Sequence, residues 1–226
     1  MHIMEGFLPV AHAAAWGGAS ALCVGFGLRS IARSVKAKPE LKMLFGVSIA
    51  FTFVLSALKL PSVTGSCSHP TGTGLGAILF GPLAMAPVAA IVLLFQAVLL
   101  AHGGITTLGA NIFSMGVVGP LVGYGIYRAT IRAGLPSGLS VFLAACLADL
   151  ATYITTATQL ALAFPDQAGG FSASLAKFIG IFAITQIPLA ISEGLITVLI
   201  YSFIQKHSGD ELGSLAFNPA SEEKRI

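Results

Sequence analysis

A helical membrane protein, all-α and polytopic with about seven crossings, is the fold class this sequence predicts. Three observations carry that reading. Apolar residues fill 55% of the 226 positions, while Asp, Glu, Lys and Arg fill only 9%, against about a quarter charged in soluble domains. The mean hydropathy is +0.88. Several runs nearly free of charge reach the roughly 20 residues a helix needs to cross about 30 Å of hydrocarbon, and nothing resembles the short alternating segments of a barrel. The 26 glycines fit this class, because glycine is common in membrane helices and lets their backbones approach closely.

The apolar runs, in order, are roughly Val10 to Leu28, Leu44 to Leu58, Ala77 to Leu100, Ile105 to Tyr127, Leu139 to Ala163 and Phe178 to Ile204. Basic residues orient them. Arg29, Arg33, Lys36, Lys38 and Lys42 lie between the first two runs, Arg128 and Arg132 follow the fourth, and Lys206, Lys224 and Arg225 sit in the tail. The positive-inside rule makes these segments cytoplasmic. Residues 1 to 8, 61 to 76 and 101 to 109 carry no Lys or Arg and read as external. One crossing per run would bring Arg128 and Arg132 to the outer face, so an extra crossing is required between Pro61 and Ile126. The stretch from Gly72 to Gly104 supplies it if the chain turns near Pro82 to Pro87, as a short hairpin whose arms each reach about 20 to 25 Å. Seven spans follow, with the N-terminus outside and the C-terminus cytoplasmic. Residues 1–205 form one transmembrane domain and 206–226 a short cytoplasmic tail.

The opening lacks the basic region, apolar stretch and cleavage site of a secretory signal, so Met1 is expected to be the mature terminus. Cys23, Cys67 and Cys146 are odd in number and two lie in apolar runs, which implies no disulfide framework. The sequence has no GxxxxGK[ST] phosphate cradle, so ATP-driven work would need a partner. HExxH and GxSxG are missing too, and with them a visible hydrolytic centre.

The first residues, MHIMEG, have a specific chemistry. A free α-amine, the deprotonated amide of residue 2 and Nδ1 of His2 close two fused chelate rings around one metal. An imidazole from elsewhere would complete a square of nitrogens, the geometry of Ni(II) or Cu(II), which Co(II) also accepts with less insistence. The α-amine suits this because its reference pKa of about 7.7 to 8.0 makes loss of its proton to a metal inexpensive. His69, in PSVTGSCSHPTGTGLG, is the candidate fourth ligand. The proline after it biases it away from helix, and an irregular loop at membrane depth must be buried in protein or line a cavity.

Cys67 is read as a loop-packing residue, since a soft sulfur ligand would favour zinc or Cu(I). His102 and His12 are read as hydrogen-bonding neighbours rather than ligands. Asp149, Glu193 and Lys59 lie in or near spans, where ionisable groups invite a functional reading; for both carboxylates, pairing with hydroxyls or other polar groups is favoured. Gln96 and Asn111 are expected to link helices, and Lys177 to snorkel at a boundary. Ala13, Gly17, Ala21 and Gly25 put small residues on one stripe of the first span, suited to close helix contact inside the chain or with a partner.

MHIMEGFLP, FVLSALKLPSVTGSCSHPTGTGLG, LLAHGGITTLGAN, ALAFPDQAGG and TQIPLAISEG together resemble the CbiM/NikM family, the substrate-binding membrane subunits of cobalt and nickel energy-coupling-factor transporters. The resemblance covers roughly residues 1 to 205. It implies seven helices with an external N-terminus, and a metal held by the Met1 amine, the amide and imidazole of His2, and the imidazole of His69. Thr64, Cys67, His102 and Asn111 are then candidates for the shell that orients those ligands. It also implies partners: a transmembrane coupling subunit, two cytoplasmic ATPases and, in many systems, a small auxiliary membrane subunit, with no nucleic acid. Co2+ or Ni2+ would be cargo, cobalt slightly favoured for cobalamin synthesis, with no tightly bound cofactor and no catalysis by this chain, in the cell membrane of a prokaryote. The competing reading is a self-sufficient proton-coupled carrier or channel running past Asp149 and Glu193; such carriers often show two related halves with broken helices, and no internal repeat is visible.

Overall fold

The computed structural model describes residues 2–61 and 66–207. A two-residue strand β1 (His2–Ile3) leads into α1 (Val10–Ala37) and α2 (Leu41–Ala57). Strands β2 (Leu60–Pro61) and β3 (Ser66–Ser68) follow, then α3 (Thr73–Phe80), a 3-10 turn (Pro82–Ala84), α4 (Met85–Leu100), α5 (Leu108–Ile112), a π-helical turn (Phe113–Val118), α6 (Gly119–Arg132), α7 (Ser137–Ala163) and α8 (Gly170–His207). Among the described residues, five helical segments are long and apolar enough to cross a membrane: Val10–Ala37, Pro82–Leu100, Leu108–Arg132, Ser137–Ala163 and Gly170–His207. The 17 residues of α2 give about 25 Å, a short span that a slightly thinned bilayer accommodates. The first helix outruns its apolar stretch, continuing through Arg29, Arg33 and Lys36 to Ala37. Helix α8 takes in the first two residues of the expected tail, and the rest of that tail lies outside the described residues.

The hairpin departs from its expected form. The chain turns at Gly81 and Pro82, within the expected region, but its arms are unequal. Helix α3 has only 8 residues, all buried, or about 12 Å. The preceding residues 69–72 cover the remainder of the passage without helix, about 13 Å if extended. The turn that follows packs beside the second half of α1, where Leu83 and Pro87 approach Gly27. Phe80 joins a cluster with Leu41, Phe45, Tyr127, Val141 and Tyr201. Loop and half-helix together therefore traverse the bundle. This is tolerable because other groups satisfy the loop's backbone: the N–H groups of Thr71 and Gly72 and the hydroxyl of Thr71 all donate to the Glu193 carboxylate on α8.

Helices α6, α7 and α8 form the thick side of the bundle, α7 lying against both neighbours. Glycine sets the α6–α7 distance. A Cβ at Gly123 would sit 2.9 Å from the Ala148 side chain, and one at Gly119 only 2.3 Å from Thr152 Oγ1, so residues with side chains would force the helices apart. On the thin side, Gly17 of the α1 stripe abuts Gly109 of α5 at 2.3 Å from a built Cβ. The Ser20 hydroxyl donates to the Gly109 carbonyl at 2.6 Å. At least this part of the stripe thus packs inside the chain. Gln96 links α4 to α2 as expected, donating to Ser56 Oγ at 2.7 Å and to the Phe53 carbonyl.

At one end, a second apolar cluster of Ile3, Leu8, Ala110, Tyr153, Ala157, Leu160 and Phe182 packs the chain's opening onto α5, α7 and α8. Arg29, Arg33, Arg128, Arg132 and Lys206 belong to helix segments that run to the other end. A small antiparallel sheet in the order β1-β3-β2 lies at the first end, pairing His2 with Cys67 and Ile3 with Ser66. Lys177, expected to snorkel at a boundary, is ion-paired there with Asp166. That pair and the Ala168 and Gly169 amides hold the Asp166 carboxyl down to about 2.

Candidate metal centre

Pairing of β1 with β3 brings the second residue of the chain against a loop more than sixty positions away. Side chains from α5, from the turn before it and from α8 hold the junction. The Ile3 N–H donates to Asn111 Oδ1 at 2.8 Å, and Asn111 Nδ2 donates back to the Ile3 carbonyl at 3.0 Å. Thr107 adds a second donor to that carbonyl at 2.8 Å. From α8, Thr185 hydrogen-bonds Ser68 at 2.8 Å, Gln186 Nε2 donates to the His69 carbonyl at 3.2 Å, and Glu193 takes the two amides that follow. One helix thus clamps the loop at four successive points. Gln186 also donates to Asp149 Oδ2 on α7 at 2.6 Å.

The clamps bring His2, Cys67, His69 and His102 together, with one donor atom from each lying within 4.8 Å of all the others. The His2 ring is 4.1 Å from that of His69 and 4.7 Å from that of His102 by centroids, and the latter two rings are 4.9 Å apart. All three imidazoles are sealed from solvent, at 0%, 0% and 1% exposure, and Cys67 is at 7%. His69 Nδ1 lies 2.7 Å from the Pro70 carbonyl; only a protonated nitrogen can donate there, so Nε2 keeps a bare lone pair. His2 Nε2 lies 3.3 Å from the Met115 thioether, a weak acceptor, which leaves Nδ1 bare in the same way. His102 Nε2 is 3.0 Å from Cys67 Sγ. His2 Nδ1, His69 Nε2 and His102 Nδ1 are buried without any hydrogen-bond partner among the described residues.

Burial is also the main reason these rings are uncharged. It holds His2 and His69 well below the ordinary imidazole value, with neighbouring positive charge adding to the effect, and brings His102 down to about 4. Burial pushes the Cys67 thiol up. A dry group of neutral nitrogens and one sulfur, with no carboxylate among its described members, is matched to borderline transition metals and mismatched to Mg2+ or Ca2+.

Of the residues singled out from sequence, the structure brings together His2, His69, His102 and Cys67, and places Asn111 against the backbone of β1 rather than between helices. Met1 and Thr64 lie outside the described residues. His12 is half-buried on α1 and outside the cluster. Sequence reasoning did not single out Met115, Thr107, Thr185 or Gln186 for this site. Met115 is delivered by the π-helical turn, an irregularity that tends to occur at functional positions and has no reliable sequence signature.

Fold and cluster define a class, that of helical membrane proteins with a buried group of nitrogen and sulfur donors gathered at a small sheet. Comparison with known proteins narrows it. Residues 2–211 match the family model described as the cobalt uptake substrate-specific transmembrane region, CbiM. The chain belongs to that family. It is 65% identical over 223 residues to cobalt transport protein CbiM 2 of Pelobacter propionicus, covering 99% of each chain, and 63% identical over 212 residues to cobalt transport protein CbiM of a Nostoc species, covering 94% of this chain and 81% of that one. Among solved structures it resembles one described as a transition metal transporter, with TM-score 0.80 at 28% identity over 91% of this chain and 93% of that one. A truncated transition metal transporter gives TM-score 0.78 at 28% identity, over 92% and 99%.

Proposed function

We propose that this chain is the substrate-binding membrane subunit of an ATP-driven importer of divalent transition metal, cobalt favoured over nickel. The Met1 amine, the His2 amide nitrogen, His2 Nδ1 and His69 Nε2 would hold the ion. The single observation that carries the reading is the pair of buried nitrogens on His2 and His69, without hydrogen-bond partners among the described residues, on rings 4.1 Å apart. Such atoms in a dry site cost free energy unless something fills them, and a metal is the partner their chemistry suits. Asn111 and Thr107 hold the strand that carries His2. Gln186, steadied by Asp149, holds the carbonyl of His69.

The names of the relatives favour cobalt, whereas a square of nitrogens favours nickel on geometry alone. The positive-inside rule places the histidine end outside. The chain contributes binding and no catalysis: a transmembrane coupling subunit, two cytoplasmic ATPases and a small auxiliary membrane subunit would drive release to the cytoplasm. Engagement of both Glu193 oxygens by the loop, and of one Asp149 oxygen by Gln186, supports this over a carrier path through Asp149 and Glu193.

One alanine inserted before Met1 tests the chelate, because it leaves every side chain in place and moves the free amine away from His2. Measured on purified protein by titration against a competing chelator, tight Ni2+ and Co2+ binding should be lost. Undiminished binding to the extended protein would overturn the assignment.

A further inference from the structure

Cys67 and His102 have no part in a chelate made from the terminal amine, His2 and His69, yet both lie inside the same dry cluster. Their donor atoms lie as close to the group as those of His2 and His69. His102 Nε2 touches Cys67 Sγ at 3.0 Å, His102 Nδ1 is buried without a partner among the described residues, and all four side chains offer a donor within 4.8 Å of the rest. Cys67 is held in register opposite His2 by the β1–β3 pairing, and His102 follows Ala101, which caps α4 in the left-handed conformation at φ 47°. The thiol and its imidazole neighbour are thus positioned by strand register and by the turn after α4, without the free α-amine taking part.

We infer that His2, Cys67, His69 and His102 form a second coordination set, one that takes a d10 cation of the zinc class in tetrahedral geometry. The inference rests on the reading that His2 and His69 face the transported ion. It follows from three features. Three imidazoles with one sulfur are a zinc-type donor set, and a d10 ion has no electronic preference for the planar arrangement that the amine chelate imposes. With bonds of about 2.0 Å to nitrogen and 2.3 Å to sulfur, the edges of such a tetrahedron measure about 3.3 Å between nitrogens and about 3.6 Å from nitrogen to sulfur, so a separation of 4.8 Å need close by about 1.5 Å at most. On binding, the Cys67 thiol releases its proton to solvent and the thiolate cancels one of the ion's two charges, which lowers the cost of holding it in a buried site.

Because the two sets share His2 and His69, they exclude each other. A zinc-class ion is therefore a competitor of the cargo at the same place, bound in a form that does not use the amine. Binding there distinguishes cargo from competitor by geometry: the plane needs the terminus, the tetrahedron needs Cys67.

The experiment uses full-length protein in detergent, with its native start or with one alanine inserted before Met1. Zn2+ affinity is read by competition with a chromophoric chelator. Cd2+ is the spectroscopic probe, since coordination to a thiolate produces an ultraviolet charge-transfer band that nitrogen ligands do not. The alanine-extended protein should keep Zn2+ affinity within about threefold and show the cadmium–thiolate band. In that extended background, C67S should abolish the band, and both C67S and H102Q should weaken Zn2+ by at least about tenfold, the scale of one lost ligand or its close support. Two positions are used so that a fault in folding of either variant, checked by size-exclusion elution, does not decide the result. Absence of the cadmium–thiolate band from both starting proteins would overturn the proposal, as would loss of Zn2+ binding on extension. Nickel binding that survives extension would instead overturn the amine chelate while leaving the band to decide the tetrahedral set.

Discussion

Asn111→Leu is the sharpest test of how the site is held. The substitution keeps the branched four-atom skeleton of the side chain and removes both polar atoms that face Ile3. The two losses are unequal. The Ile3 carbonyl keeps Thr107 as a donor at 2.8 Å, whereas the Ile3 N–H, whose acceptor was Asn111 Oδ1 at 2.8 Å, is left buried with no replacement. An orphaned buried donor costs about 1 to 3 kcal/mol, so β1 should undock roughly 5- to 150-fold more often. Thr107→Val removes only one of two donors to the carbonyl and should cost no more than about 1 kcal/mol. Hydrogen exchange of the amides of residues 2–8 in metal-free protein reads the undocking directly. Metal affinity would fall by the same factor only once the docked state is no longer the majority. Unchanged exchange in Asn111→Leu, or a larger effect from Thr107→Val, would refute the view that Asn111 holds the strand.

Two further predictions concern the loop and pH. Glu193→Leu strips the acceptor from the buried Thr71 and Gly72 amides and should release the loop that carries His69, seen as new proteolytic sensitivity near residues 66–72; Glu193→Gln, which keeps one oxygen, should be intermediate. Because burial lowers the folded-state values of His2, His69 and His102, the stability they confer as neutral rings is complete above the ordinary imidazole value near 6.5 and is lost as pH falls below it, since the unfolded chain takes up protons first. Thermal unfolding of metal-free protein should therefore be flat from pH 8 to 7 and drop between pH 6.5 and 4, and a midpoint that rises on acidification over that range would contradict the burial argument.

Much of this protein was legible in its residues for identifiable reasons. Runs without charge can only be helices in hydrocarbon, because backbone groups there must be satisfied within the segment. Their edges were misjudged where a basic helix continued past the apolar stretch, as α1 does to Ala37. The extra crossing was required by the placement of Arg128 and Arg132, but its form was not readable: an extended loop followed by a two-turn helix is possible only because Glu193, over a hundred residues later, accepts the loop's amides. His2 and His69 stood out because one adjoins the chain's start and the other precedes a proline in an uncharged loop.

His102 and Cys67 read from sequence only as candidates for the supporting shell, because sequence distance says nothing of convergence, and their place in the cluster depends on strand register and on the turn after α4. The sequence by itself determined a helical membrane chain, the opposition of its basic and histidine-bearing ends, and two donors with the chemistry to hold a metal, since all of these follow from local composition and local covalent geometry. The tertiary structure alone decided which other donors join them, which rings are dry and neutral, and which amide and carboxylate hold the loop, because each of these depends on contacts between residues that only packing brings within 5 Å of one another.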